Sequence, residues 1–292
     1  MKDNLVLSSI ANLPYEEVAT FLESLRATGS TAKVHFFVSG VSEQTVKKVR
    51  AMGATVEPFA YFSIRRRQPM TYLWPILKPI FARRDFAGKC RLGRWTLHLM
   101  ALRFILYYDH LAARRDQYDN ILLTDCRDVY FQRDPFSDHL PPGLHTFLES
   151  PAMTNGNNKN CRVMVVNAFG PKIAEELFPL PVSCAGTTMG DIESILLYLR
   201  EMIEIVCRSV TMYASNDQGV HNYIVHRGLV PNLHIHDNYS SSVFTAGCES
   251  VKDIHFNERG EIIRRDGTVY PILHQIDRHV AIYQQLREKL AR

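Results

Sequence analysis

The fold class is best predicted from residues 119–136, which read Asp-Asn-Ile-Leu-Leu-Thr-Asp-Cys-Arg-Asp-Val-Tyr-Phe-Gln-Arg-Asp-Pro-Phe. Its apolar run at residues 121–123 predicts a buried central strand, and Asp125 and Asp128 follow with Arg127 between them. In open α/β sheets, ligands bind beyond the carboxyl ends of the strands. Mg²⁺ or Mn²⁺ would offset the repulsion between the two carboxylates and take their oxygens as ligands. The alternative is an acidic turn in which Arg127 pairs with a neighbouring carboxylate.

The elements before this stretch alternate between strand and helix. We predict strands and helices in turn at residues 4–10, 15–26, 33–38, 42–52 and 55–59, with Ser42 as a helix cap. This βαβαβ order predicts a parallel sheet with right-handed crossovers. A long helix over residues 93–114 then leads into the strand that ends at Asp125.

The second half of the chain continues the mixed pattern. We predict strands at residues 144–148, 163–167, 232–236 and 269–274, and helices at residues 191–207, 216–226 and 278–290. The sequence contains no internal repeat, low-complexity tract or linker. We therefore expect a single α/β domain over residues 1–292, with a mostly parallel central sheet flanked by helices.

A basic and aromatic segment interrupts this pattern at about residues 62–92. Three arginines occupy residues 65–67, and further lysines and arginines alternate with aromatic and aliphatic residues. Such a segment can bind phosphates or lie on an anionic membrane surface. The alternative is a solvated arm or lid whose aromatic side chains pack on the core. The net charge of the whole chain, +4, is too small to indicate a nucleic-acid partner.

Cysteine usage and hydropathy bear on the cellular compartment. The six cysteines are scattered and form no Cys-x-x-Cys pair, which argues against a zinc ribbon or a disulfide scaffold. The apolar seed at residues 5–7 is too short for a signal peptide, and no uncharged apolar run reaches about 20 residues. We expect a cytoplasmic protein with reduced thiols that is at most peripheral to the inner face of a membrane.

The loop after the first strand limits the kinds of nucleotide site. It reads Ser-Ser-Ile-Ala-Asn-Leu-Pro at residues 8–14 and has neither Gly-x-Gly-x-x-Gly nor a Walker lysine. A redox dinucleotide site and a P-loop are therefore disfavoured. A bound nucleotide would need another device to neutralise its phosphates, and a cation at Asp125 and Asp128 is the obvious one.

Five stretches in this order resemble the GT-A fold of nucleotide-sugar-dependent glycosyltransferases. They are Phe21-Leu-Glu-Ser-Leu-Arg-Ala-Thr-Gly29, residues 118–136, Cys184-Ala-Gly-Thr-Thr-Met-Gly190, Asn216-Asp-Gln-Gly-Val-His-Asn222 and Pro271-Ile-Leu-His274. The resemblance spans nearly the whole chain apart from the basic segment and the tail. It implies a GT-A-like, Rossmann-like domain that moves a sugar from a nucleotide-diphosphate sugar, by default a UDP-sugar, to a glycan or lipid-linked acceptor.

The family's Asp-x-Asp metal signature is altered in this chain. Counting back from Asp134-Pro-Phe, Asp128 matches the second, metal-binding aspartate, whereas Cys126 stands at the first position and Asp125 one residue earlier. The resemblance therefore implies Asp128 as a ligand for Mn²⁺ or Mg²⁺. Asp125 either holds the ribose hydroxyls or reaches the metal through a shifted backbone.

A histidine near the C-terminus is the third metal ligand in many such enzymes, and His274 matches that position. The alternatives are that His274 is a histidine at the edge of the core, or that His234 and His236 serve instead. The latter two alternate along a predicted strand, which is more typical of ordinary surface and core positions.

The stretch from Gly186 to Gly190 resembles the part of the family fold that holds sugar hydroxyls. The resemblance implies donor contacts from Gly186, Thr187 and Thr188, together with Arg127 and Asp125. The alternative is a turn before a helix, with Asp191 near the helix N-terminus.

Asn216-Asp-Gln-Gly219 carries the implied catalytic pair. In related retaining enzymes an Asp-Gln pair lies beside the anomeric carbon, and in inverting enzymes a carboxylate deprotonates the acceptor hydroxyl. We predict Asp217 and Gln218 as the catalytic residues, and we favour retention of configuration. The alternative is a capped helix start. Arg127 or the basic segment would add positive charge near the leaving diphosphate, the segment closing as a lid.

Two other functions remain open at this point. A sugar nucleotidyltransferase would share the sheet and the acidic site, but it normally carries a Gly-rich basic signature after the first strand. A non-catalytic protein that binds a glycan or a partner on a degenerate GT-A fold would explain why Cys126 replaces an aspartate.

Overall fold

The computed structural model describes residues 2–61, 72–212 and 216–290. Its first elements confirm the predicted alternation: β1 (Asp3–Ala11), α1 (Glu16–Ala27), β2 (Lys33–Ser39), α2 (Glu43–Ala51) and β3 (Ala54–Pro58). The hydroxyl of Ser42 caps α2 by accepting a hydrogen bond from the backbone N–H of Thr45 at 3.1 Å. The arginines at residues 65–67, on which the predicted phosphate-binding or membrane-binding arm depends, lie outside the described residues.

The remaining helices and strands follow after residue 72. In chain order they are α3 (Trp74–Ala82), α4 (Phe86–Thr96), α5 (Leu99–Ala112), β4 (Tyr118–Thr124), β5 (Val129–Phe131), β6 (Leu144–Leu148), α6 (Lys159–Phe169), α7 (Pro171–Leu177), β7 (Ser183–Asp191), α8 (Ile192–Val206), α9 (Asn216–Arg227), β8 (Leu233–His236), β9 (Val243–Thr245), β10 (Ile272–His274) and α10 (Val280–Leu290).

A seven-stranded sheet forms the centre of the α/β fold, in the order β3-β2-β1-β4-β7-β6-β8. Strands β3, β2, β1 and β4 are parallel to one another, β7 is antiparallel to both β4 and β6, and β8 is parallel to β6. The sheet is therefore mostly parallel, as predicted. Strands β5, β10 and β9 form a separate three-stranded sheet.

Helices cover both faces of the central sheet, because its strands are apolar on both sides. Leu122 of β4 packs with α1 in one buried cluster, while Ile121 and Leu123 pack with α5 and α8 in another. All three β4 residues are at most 4% exposed. Burial on both faces is characteristic of central parallel strands, and it leaves the strand ends as the accessible edges.

Two helix and strand predictions in the middle of the chain were wrong. The predicted helix over residues 93–114 is two helices, because His98 interrupts it and accepts a hydrogen bond from the N–H of Met100 at 3.2 Å. The predicted strand at residues 163–167 lies within α6. Asn158 caps that helix by accepting from the N–H groups of Asn160 and Cys161, and this local cap overrides the strand preference of the valines.

A turn before a helix was the alternative prediction for the stretch from Gly186 to Gly190, and the turn was wrong. It lies within β7, with Thr187 paired to Thr124 and Thr188 paired to Leu123. Asp191 then caps α8 by accepting from the N–H of Ser194 at 2.9 Å, which confirms its predicted place at a helix start. The predicted strand at residues 269–274 is shorter than expected, and its core, β10, belongs to the smaller sheet.

The described part of the basic segment forms α3 and the first half of α4. Trp74 is buried and its Nε1 donates to the carbonyl of Ser209 at 2.9 Å, while Lys89 pairs with Glu204 on α8. Tyr72 and Ile76 remain exposed. The aromatic side chains of residues 72–92 are thus divided between the core and the surface.

Candidate functional site

The candidate site lies where β4 ends and the chain passes into β5. Asp125 follows β4 directly, Asp128 precedes β5, and His274 is the last residue of β10, which pairs with β5. One ligand atom from each of these three residues lies within 4.8 Å of the others. The pairing of β5 with β10 therefore brings His274 to Asp125 and Asp128, which lie more than a hundred positions earlier in the chain.

Two atoms in this group are buried and unpaired. Asp128 Oδ1 and His274 Nε2 lie 3.8 Å apart, and neither has a hydrogen-bond partner among the described residues. The His274 side chain is 1% exposed and that of Asp128 is 14% exposed. Burial raises the pKa of the Asp128 carboxyl above its ordinary value, and the nearby His274 partly opposes that shift. Unpaired buried polar atoms are costly, so this pair is suited to a bound ligand.

Gly186 allows the three groups to approach one another. A Cβ at this position would lie 2.5 Å from His274 Cε1 and 2.8 Å from Asp125 Oδ2. The carbonyl of Gly186 also accepts a hydrogen bond from the Asp125 N–H at 2.9 Å, which holds the loop against β7. The absence of a side chain, rather than an unusual backbone conformation, is what this site requires.

Cys126, which stands at the first position of the altered signature, lies outside the cluster. It is 4% exposed, and its Sγ donates to the carbonyl of Ser9 at 3.4 Å. Burial is the largest of the effects that raise the pKa of this thiol to about 12. The backbone therefore presents Asp125, not residue 126, to the cluster.

Arg103, on α5, is the main site residue that sequence reasoning missed. It is 7% exposed, and it donates from Nη1 to Asp125 Oδ1 at 2.7 Å and from Nη2 to Asp217 Oδ2 at 2.8 Å. Burial alone would lower the pKa of Arg103, but the two carboxylates outweigh it and raise that pKa. An arginine within the apolar run Leu-Met-Ala-Leu-Arg-Phe-Ile-Leu was the available signal, since buried arginines are rarely unpaired.

The predicted catalytic pair is turned towards the interior. Asp217 is 4% exposed, and burial raises the pKa of its carboxyl despite the neighbouring Arg103. Gln218 binds the backbone of β7: its Oε1 accepts from the N–H of Ala185 at 2.9 Å, and its Nε2 donates to the carbonyl of Ser183 at 2.6 Å. Arg103 thus links Asp217 to Asp125, while Gln218 fixes the start of α9 to β7.

The predicted donor-binding residues divide into two groups. Asp125 and Gly186 lie in the cluster, whereas Thr187 and Thr188 are 0% exposed inside the sheet. Arg127 is exposed and its Nη2 lies 3.6 Å from Asp277 Oδ2, so its carboxylate neighbour is a residue the sequence did not suggest. The negative charge of Asp277 also helps to raise the pKa of Asp128.

His234 and His236, the alternative histidine pair, lie on β8 at the edge of the central sheet. They stack on His145, whose Nδ1 lies 2.9 Å from His236 Nε2. The structure therefore groups these histidines with each other, and it is His274 that lies beside Asp128.

A cavity of about 430 Å³ lies at the carboxyl ends of β1 and β2. Asn12, Gly40 and Lys48 are among the residues that line it. A smaller cavity of about 230 Å³ lies at the opposite end of the sheet, beside Asn120 and His145. The larger cavity is on the sheet edge at which ligands bind in open α/β folds.

No protein-family model and no curated protein sequence matches this chain. Across residues 2–61, 72–212 and 216–290, none of the helices combines the length and the apolar character that crossing a bilayer requires.

Proposed function

We propose that this chain is a glycosyltransferase of the GT-A type that moves a sugar from a nucleotide-diphosphate sugar to a glycan or lipid-linked acceptor. The observation that carries the proposal is the group formed by Asp125, Asp128 and His274 at the carboxyl edge of the sheet. The mostly parallel sheet and the altered Asp-x-Asp stretch at the end of β4 support it further. A UDP-sugar is the default donor.

The three side chains fit a divalent cation. Two buried and unpaired atoms, Asp128 Oδ1 and His274 Nε2, lie 3.8 Å apart, and adjacent ligands in an octahedral site at about 2.1 Å from the metal are about 3 Å apart. An imidazole in the set favours Mn²⁺ over Mg²⁺. Asp128 and His274 would hold the cation, with Asp125 as the third ligand. When bound, the cation would supply Lewis-acid stabilisation of the leaving diphosphate.

The donor would lie along the same sheet edge. The cavity at the ends of β1 and β2 has room for a nucleoside, and its lining includes Lys48, which lies 3.6 Å from Glu16. Arg127 is exposed beside the cluster and is free to contact the diphosphate if it leaves Asp277. In this proposal the sugar–phosphate bond would lie near Asp128.

Arg103 has a positioning role in this proposal. Its two hydrogen bonds hold Asp125 towards the cation and Asp217 towards the interior of the site. Asp217 remains the proposed catalytic carboxylate. Gln218 has one Nε2 hydrogen left after binding Ser183, and this hydrogen would contact the transferred sugar.

One observation favours a second candidate, a non-catalytic protein that binds glycans on the same fold. Asp217 is buried and paired with Arg103, which is an unusual situation for a carboxylate that must take a proton from an acceptor hydroxyl. A retaining reaction, which needs no such general base from Asp217, reconciles this geometry with catalysis.

The test measures ligand-induced thermal stabilisation and calorimetric binding of nucleoside diphosphates and nucleotide sugars, with and without Mn²⁺. It compares the wild type with Asp128→Asn and with Asp119→Asn, a matched control on an exposed residue of β4. We expect one nucleotide sugar to raise the Tm of the wild type and of Asp119→Asn only when Mn²⁺ is present. The same nucleotide sugar should leave the Tm of Asp128→Asn unchanged.

The other outcomes separate the alternatives. Stabilisation that does not need Mn²⁺ would assign the phosphate contacts to arginines instead of a cation. Absence of any response to nucleotides from folded protein would favour the non-catalytic binder. Where binding occurs, slow hydrolysis of the sugar nucleotide, in which water takes the sugar and the nucleoside diphosphate is released, measures catalysis without knowledge of the acceptor.

A further inference from the structure

A second group of side chains that could hold a metal ion lies away from the candidate donor site. His35 on β2, Glu57 on β3 and His110 on α5 place one ligand atom each within 4.8 Å of the others. His35 Nε2 lies 3.7 Å from Glu57 Oε2, and His110 Nδ1 lies 3.9 Å from the same oxygen. The two imidazole rings are 4.0 Å apart between their centroids.

The histidines of this group are buried without hydrogen-bond partners for their inward-facing nitrogens. His35 and His110 are 6% and 5% exposed. Within the described part of the chain, His35 Nε2 and both ring nitrogens of His110 accept or donate no hydrogen bond. Nearly all buried polar atoms in proteins are paired, so two unpaired nitrogens, His35 Nε2 and His110 Nδ1, that lie within 4 Å of one carboxylate oxygen indicate a ligand.

The hydrogen bonds around His35 determine which of its nitrogens carries a proton. The Thr55 hydroxyl donates its only proton to the carbonyl of Val34 at 3.1 Å. It must therefore accept the hydrogen bond that it shares with His35 Nδ1 at 2.8 Å. Nδ1 then carries the proton, and Nε2 presents a lone pair towards Glu57. This is the outer hydrogen bond that orients a metal-binding histidine.

Both rings are also in the chemical form that binds metals. Burial lowers the pKa of His35 to about 4 and that of His110 to about 3, with Arg114 as a smaller contributor to each. The rings are therefore neutral at neutral pH. Glu57 is about half exposed on the edge strand β3, so its carboxylate can move towards them at small cost.

We propose that His35 Nε2, Glu57 and His110 Nδ1 form a binding site for a divalent transition metal of the Zn²⁺ type. Two nitrogens and one carboxylate oxygen are a ligand set that Zn²⁺ uses, with water in the fourth position. Tetrahedral ligands at about 2.0–2.1 Å from the metal are about 3.3 Å apart, so distances of 3.7 and 3.9 Å need only small shifts. Two imidazoles make Mg²⁺ and Ca²⁺ unsuitable.

A metal here would fasten α5 to the edge of the central sheet. His110 lies seven residues after Arg103 on α5, which is about 10 Å along the helix axis. The metal would therefore stabilise the helix that carries Arg103 without contacting the donor site. It would bind whether or not the chain is a glycosyltransferase.

The experiment is a calorimetric titration of the chelator-treated chain with Zn²⁺, together with visible absorption spectra of its Co²⁺ form. It is done in the Asp128→Asn background, which removes a ligand of the other candidate site. Glu57→Gln and Thr55→Val are the test variants, and both positions are exposed on β3. Glu23→Gln, on an exposed residue of α1, is the matched control.

We expect one Zn²⁺ per chain and tetrahedral Co²⁺ bands in the Asp128→Asn protein. Affinity should be unchanged in Glu23→Gln, and weaker by about 10-fold or more in Glu57→Gln and Thr55→Val, as loss of a ligand or of its orienting partner produces. Absence of Zn²⁺ binding, or equal affinity in Glu57→Gln and Glu23→Gln, would overturn the proposal and leave the histidines as packing residues only.

Discussion

Replacing Arg103 by methionine tests the buried charge network directly. Arg103 lies between Asp125 and Asp217, with hydrogen bonds of 2.7 and 2.8 Å to the two carboxylates. Methionine keeps an unbranched side chain and has a similar helix propensity, so α5 itself should be little affected. The substitution therefore removes the positive charge and leaves the carboxylates behind.

The expected loss follows from how deeply each carboxylate is buried. The side chain of Asp217 is 4% exposed, whereas that of Asp125 is 35% exposed and can be hydrated. Removing one partner of a buried ion pair destabilises a protein by about 3–5 kcal/mol. We expect Arg103→Met to lower the free energy of unfolding by an amount in that range at neutral pH, with Asp217 responsible for most of the loss.

Urea denaturation followed by circular dichroism measures the loss, with Arg127→Met as the control. Arg127 is 57% exposed and lies 3.6 Å from Asp277, and exposed pairs contribute about 0–1 kcal/mol. Combining Arg103→Met with Asp217→Asn should restore part of the stability, because the double variant no longer buries that charge. We expect a coupling energy of about 0.5–3 kcal/mol between the two sites.

The pH dependence provides a second check on the same reasoning. Without Arg103, the pKa of Asp217 should rise further, so protonation relieves the buried charge at low pH. The loss caused by Arg103→Met should therefore grow as the pH rises. A loss below about 1 kcal/mol, equal to that of Arg127→Met, would refute the view that burial dominates this network.

Three further predictions concern the cluster. Gly186→Ala should weaken Mn²⁺ binding by about 10-fold or more in calorimetry, since its Cβ would lie 2.5 Å from His274 Cε1; unchanged affinity would contradict the close packing. Cys126→Ala should leave Mn²⁺ affinity within about twofold, because the buried thiol contacts the Ser9 carbonyl and lies outside the cluster; a collapse of affinity would make Cys126 a ligand. Burial raises the pKa of Asp128 above 3.8, so in metal-free buffer the wild type should lose stability relative to Asp128→Asn as the pH rises through that value and on to the folded-state pKa. If urea denaturation instead showed the wild type gaining stability relative to Asp128→Asn over this pH range, the pKa of Asp128 would be lowered and not raised by folding.

The amino-acid sequence by itself determined the βαβαβ opening and the position of the acidic residues. Apolar periodicity, caps such as Ser42 and Asp191, and the apolar run before Asp125 act between residues that are close in the chain. Local patterns of this kind therefore predicted β1 to β3, the helices between them and β4. They also placed Asp125 and Asp128 at the end of a strand.

Local patterns were misleading where tertiary contacts outweighed them. The two glycines of the Gly-Thr-Thr-Met-Gly stretch are unfavourable in strands, yet the stretch lies within β7 because β4 and β6 supply hydrogen bonds on both sides. The valines of α6 favour a strand, but the cap at Asn158 and the burial of Val165 favour the helix. In the first case the deciding partners are distant in the chain, whereas in the second the cap is local and only the burial of Val165 depends on distant partners.

Only the tertiary structure decided how distant residues combine. Arg103 and Asp217 are 114 positions apart, and their contact depends on the packing of α5 against α9. The approach of His274 to Asp128 likewise depends on the pairing of β10 with β5. Contacts of this kind arise from the topology of the sheet and the packing of its core, and neither can be predicted from the spacing of residues along the sequence.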